Sequence, residues 1–146
     1  MLVLLIPFYL ALYCRALETQ CPDTVTKATM ESFHMDNCQP DKCKFHPHDH
    51  MTGSVRFIPQ INSKSLNATM SARIGPIYIN MPGFNGDGCH DSGITCPLIA
   101  NTTYEYKISA EIPRVFWEVD TVAKFTLAAD DGEYFICVQV PVEVDP

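Results

Sequence analysis

The residues with the clearest chemical potential are His46, His48 and His50, which alternate along one short segment with Asp49 before the last. In an extended chain, three imidazoles at this spacing share a side and can hold a divalent metal. Pro47 inside the run and Met51-Thr52-Gly53 after it point instead to an exposed loop. The expectation is therefore a polar cluster that gains charge near about pH 6, with no metal bound. Asp130 and Asp131 are the other group that invites a catalytic reading. Adjacent extended or turn residues face opposite ways, so their carboxyls do not converge on one substrate. Asp130-Asp131-Gly132 reads as a solvated turn. The chain has no GxSxG elbow, no HExxH pair and no glycine-rich phosphate loop. Without those constellations no enzyme activity and no cofactor are expected.

The seven cysteines divide into one and six. Leu2–Tyr13 is nearly all apolar, Arg15 and Ala16 follow, and polar sequence begins at Glu18. This is the pattern of a secretory signal peptide, cut after Ala16. Cys14 leaves with it. Cys21, Cys38, Cys43, Cys89, Cys96 and Cys137 remain, and an even set behind a leader implies a disulfide framework. No thiol is then left as a nucleophile. Six cysteines allow 15 pairings. Close spacing suggests local clasps at Cys38/Cys43 and Cys89/Cys96, which would leave Cys21 for Cys137. On loop-closure entropy the long bridge is the strongest, at about 5 kcal/mol against roughly 2 for each clasp. A zinc site is disfavoured because no CxxC pair occurs. Asn67-Ala68-Thr69 and Asn101-Thr102-Thr103 are N-glycosylation sequons and call for exposed positions.

These groups need a scaffold, and the alternation of the chain predicts strands. Tyr134 to Val144 and Val119 to Leu127 both alternate with period two and flank the Asp130-Asp131-Gly132 turn, so they read as a hairpin. Pro141 lacks a donor and predicts an edge position there. Tyr104 to Ile112, Ser54 to Ile61 and Ala68 to Met81 are further strand candidates, and Val25 to Met35 is a weaker first one. Loops are expected over 37–53, 62–66 and 82–97. No helix is indicated. Six or seven strands in one domain fit an all-β sandwich of two packed antiparallel sheets.

Loss of residues 1–16 leaves 130 residues, one domain with room for a real core. Nine bases against 17 acids give the remaining chain a net charge of −8. Scattered bases on an acidic chain exclude a nucleic-acid partner and disfavour an anionic membrane as the main one. The hydrophobic share of 47%, with aromatics at Phe45, Phe57, Phe84, Phe116, Trp117 and Phe125, is what a core alone would require.

The cysteine order acquires further meaning with its neighbours. Cys38-Gln39-Pro40-Asp41-Lys42-Cys43, Asp87-Gly88-Cys89, Thr95-Cys96-Pro97-Leu98, Tyr104-Glu105-Tyr106, Ile112-Pro113 and Cys137-Val138-Gln139-Val140-Pro141-Val142 stand in one order over Cys21 to Val142. The chain resembles the ML-domain lipid-recognition family, which takes in the soluble Niemann-Pick type C sterol-transfer proteins, mite allergens and arthropod carriers of fatty acids or semiochemicals. The resemblance implies an immunoglobulin-like β-sandwich over residues 17–146 with the pairs Cys21–Cys137, Cys38–Cys43 and Cys89–Cys96. It also implies an apolar tunnel between the sheets, with Met81, Ile112 and Phe116 at the mouth and Phe45, Ile77, Ile79, Val119, Phe125 and Val138 along the walls. Val138 stands where the family often has an aromatic, and Trp117 where a proline often follows the mouth aromatic. The implied function is a secreted, monomeric carrier of a sterol, a fatty acid or another apolar small molecule, with an acidic organelle such as the lysosome as a second destination. Transient membrane or receptor contact goes with that role. The alternatives are lipid presentation in innate immunity and semiochemical transport.

Overall fold

The computed structural model describes residues 17–146, so the leader expected over 1–16 lies outside the described residues. Nine strands follow: β1 (Thr19–Gln20), β2 (Ala28–Met35), β3 (Cys43–Phe45), β4 (His50–Pro59), β5 (Asn67–Ile74), β6 (Ile77–Asn80), β7 (Tyr104–Glu111), β8 (Val119–Ala128) and β9 (Tyr134–Val144). No helix occurs among the described residues. One sheet runs β1-β9-β8-β5-β6, with β3 also beside β9, and the other runs β2-β4-β7. Strand pairing is antiparallel except for β3 with β9.

The alternation explains the layers. In the large sheet Ala68, Met70 and Ala72 pair with Leu127, Phe125 and Ala123, which pair in turn with Ile136, Val138 and Val140. Directly paired residues share a face, and all nine side chains face the core except that Ala72 is only half-buried. Opposite them Val55 and Phe57 of β4 pair with Tyr106 and Tyr104 of β7. The Tyr106 and Phe125 rings meet across the layers at 5.4 Å between centroids. Burial keeps the Tyr106 phenol neutral and pushes its pKa up to about 12. The three disulfides are Cys21–Cys137, Cys38–Cys43 and Cys89–Cys96, with Cα–Cα distances of 5.5, 4.2 and 5.5 Å.

Three local expectations change. Ala68–Met81 is a hairpin rather than one strand. Gly75, at a φ of 60°, and Pro76 form a two-residue turn that pairs Ile74 with Ile77, the Gly-first pattern of a tight hairpin. The expected loop over 37–53 holds all of β3 and the first residues of β4. Pro141 is not on an edge, because β9 is flanked on both sides. The Cys137 carbonyl accepts from Cys21 and the Asp145 amide donates to Phe45, so odd-numbered residues of β9 address the β1/β3 side. There β1 pairs with Val138 and Gln139, and β3 with Val142 to Val144. Pro141 falls in the gap between them, where no ladder donor is required.

Candidate ligand-binding site

The two sheets differ in width, and the site follows from that difference. Register places Ile77 and Ile79 opposite Ile74 and Ala72, on the same face as Met70 and Phe125. The smaller sheet ends at β7 and does not reach over β6. Ile74, Ile77 and Ile79 are therefore 50%, 58% and 50% exposed although they belong to the inner face. Pro113 follows β7 and the chain crosses between the layers to β8, carrying Phe116 and Trp117 at 79% and 72% exposure. The hairpin tip and this crossing enclose an open cleft of about 590 Å³, lined by Ile74, Val115, Phe116, Trp117, Val119 and Thr121 among others. That size lies within the range that takes a small organic ligand. The Thr121 hydroxyl donates to the Arg73 carbonyl at 2.5 Å and ties β8 to β5 at the cleft.

The nine residues expected to meet a ligand occupy three kinds of position. Phe116 and Val119 line the cleft. Phe45, Ile112, Phe125 and Val138 are buried in the core behind it, and Met81 is half-buried against that core. Ile77 and Ile79 lie on the open edge strand. Sequence reasoning did not assign Ile74, Val115, Trp117 and Arg114 to the site. The Gly75-Pro76 turn was the available signal for Ile74, because it marks where the inner face runs out.

The histidines do not converge. His48 has a φ of 68°, so the segment is not extended and the three rings separate. His46 Nδ1 donates to the Asp145 carbonyl at 2.9 Å, and His48 Nδ1 lies 3.2 Å from Glu111 Oε1. No group of three metal-ligating side chains occurs among the described residues. Acidic groups gather on the outer side of the cleft lip. Glu118 and Glu143 share a hydrogen bond, which holds the Glu118 carboxyl above its ordinary range and Glu143 below it. Lys42 Nζ and Lys44 Nζ lie 3.3 and 3.8 Å from Glu143 Oε2. Both sequons have exposed asparagines at Asn67 and Asn101.

A two-sheet immunoglobulin-like sandwich, stapled by three disulfides and open at one end, is thus the class of protein defined here. Residues 16–144 match the family model of the ML domain, and the chain belongs to that family. It is 27% identical over 116 residues to the NPC intracellular cholesterol transporter 2 of Bos taurus, covering 80% of this chain and 77% of that one. To the NPC intracellular cholesterol transporter 2 homolog a of Drosophila melanogaster it is 24% identical over 136 residues, 92% of each chain. The crystal structure of a Niemann-Pick type C2 protein from Japanese carpenter ant shares the fold, with a TM-score of 0.72 at 20% identity over 81% of this chain and 92% of that one.

Proposed function

We propose that the protein is a secreted carrier that binds an apolar small molecule, a sterol or a fatty-acid-like lipid, between its sheets and transfers it. The observation that carries this reading is the uncovered inner face at Ile74, Ile77 and Ile79 beside the exposed Phe116 and Trp117. A contiguous apolar surface of this kind is uncommon on a soluble domain and marks a binding surface. A guest chain that covers it gains about 0.8 kcal/mol per buried methylene. The core residues Phe45, Ile112, Phe125 and Val138 would form the deep wall, reached if the sheets part slightly at the open end; Met81 would flank it. The disulfides hold the shell while the mouth opens. Relatives named as cholesterol transporters support the same ligand chemistry. The apolar character of the lining supports transfer without catalysis, and no cofactor is invoked. Glycans on Asn67 and Asn101 and export through the secretory pathway complete the proposal.

Lipid extraction from the protein purified from a secretory host, followed by mass spectrometry, tests it. A stoichiometric sterol or fatty acid is expected. Absence of any bound lipid, together with failure to take up a fluorescent apolar probe, overturns the reading. Phe116→Arg should lower probe uptake at least about tenfold, since a charged chain then replaces the apolar ring that lines the entrance, while leaving the fold intact by circular dichroism.

A further inference from the structure

Charge at the cleft is less symmetrical than its lining suggests. Four charged residues line it: Arg73, Arg114, Glu118 and Asp120. Three of them are turned to the outer face. Arg73 pairs with Tyr78 in the β5–β6 ladder, and Tyr78 engages Gln139 there through its hydroxyl. Asp120 pairs with Glu143, which Lys42 and Lys44 hold. Glu118 hydrogen-bonds the same Glu143. Arg114 belongs to the crossing between β7 and β8, outside any strand alternation. Its guanidinium carbon sits 5.4 Å from the centroid of the Phe116 ring, over the mouth aromatic. Among the described residues no carboxylate lies within ion-pair distance of it. It also lines a second, smaller cleft on the other flank of Phe116, beside Pro47 and His48. An unpaired guanidinium is thus anchored on the aromatic at an apolar entrance.

We propose that Arg114 determines specificity at this site, and that the ligand it favours is a long-chain amphiphile with a carboxylate head. The chain would lie along Ile74, Phe116 and Trp117, and the carboxylate would meet the planar donors of Arg114 at the rim. This rests on the carrier reading and narrows it: a neutral sterol alcohol makes no use of that charge. The overall negative charge of the protein repels anions in general, so a preference for one has to be local.

The test compares two guests of equal length, palmitate and hexadecanol, as competitors for a bound fluorescent apolar probe near neutral pH and below micellar concentrations. The wild-type protein should prefer palmitate by about fivefold, the scale of one exposed charge pair. Arg114→Gln should bring the ratio close to one, Arg114→Lys should retain part of the preference, and Lys64→Gln, an exposed cation at the closed end of the sandwich, should leave it as in the wild type. Added salt should shrink the wild-type ratio. Equal wild-type affinities, or a palmitate preference that survives in Arg114→Gln, overturn the role of Arg114. If the probe does not bind or neither guest displaces it, the carrier reading itself fails, a result distinct from a lost preference.

Discussion

The two ends of the sandwich are built to opposite rules. At the closed end Phe57, Leu66, Leu98, Leu127 and Phe135 are essentially without exposure. Phe57 stacks against Tyr104 and Phe135 at 6.2 and 6.0 Å. The polar groups there are also closed off: the Ser63 hydroxyl donates to the Ser65 carbonyl at 2.6 Å and accepts from the Asp130 amide at 3.0 Å, while the Asp130 carboxylate accepts from the Lys64 amide. At the open end residues of the same apolar types stand in water. Ile74, Ile77, Ile79, Phe116 and Trp117 have the chemistry of a core without its cover. The difference teaches where stability and function reside. Packing at one end sets the fold, and an unfilled inner face at the other leaves binding energy for a guest.

The sharpest way to break this comparison is at the closed end. Phe57→Ala should destabilise the domain by about 4 kcal/mol, the usual cost of emptying a fully buried aromatic site, read as a lower midpoint in guanidinium. A change under about 1 kcal/mol would show that the closed end is not the stability centre. Replacing Cys21 and Cys137 together with serine should cost about 3 kcal/mol, below the full loop-closure value of about 5 for a bridge spanning 116 residues of sequence, because the reduced, unfolded chain keeps residual structure. Equal midpoints for the wild type and the double variant would remove the bridge from that role.

Substitution at the open end should invert the pattern. Ile77→Ser should leave stability within about 0.5 kcal/mol, as expected for an exposed site, while reducing probe uptake severalfold. A large loss of stability with intact uptake would make Ile77 a core residue and the open end merely unfinished packing.

The smallest effect concerns the paired carboxyls at the lip. Glu143, with its pKa lowered from 4.5, contributes stability that is present above that value and fades as pH falls. Glu118, with its pKa raised from 4.5, contributes stability present below that value and lost as pH rises through its folded pKa. Glu118→Gln removes the second contribution. The variant should therefore gain melting temperature relative to the wild type as pH rises from about 4 to about 7. A constant difference across that window would show that the two carboxyls do not share a proton.

Much of the architecture was legible because it depends on local alternation. The β8–β9 hairpin, with Asp130-Asp131-Gly132 at its turn, reads directly from residues 119–144. The close cysteine pairs read from spacing. Elements shaped by distant partners did not. The three-residue strand β3 exists because β9 offers it a parallel edge, a partner about a hundred residues away. Gly75-Pro76 was a visible turn signal, but the long apolar run from Ala68 to Met81 obscured it. His46, His48 and His50 look convergent only while the chain is assumed straight, and the left-handed backbone at His48 ends that.

For the site the division is similar. Residue types alone determined that this chain would be a disulfide-stapled, all-β domain with an apolar interior and no catalytic motif. Alternation along an unbroken Ala68–Met81 strand would set Ile77 and Ile79 opposite Met70, and only the hairpin at Gly75-Pro76 returns them to the core face. Whether that face is covered was decided by the tertiary structure. Strand order placed β6 beyond the reach of a three-stranded partner sheet, and the crossing from β7 to β8 set Phe116, Trp117 and Arg114 beside the exposed edge. Exposure depends on the relative width of two sheets, a quantity set by every long-range pairing at once and written in no local pattern.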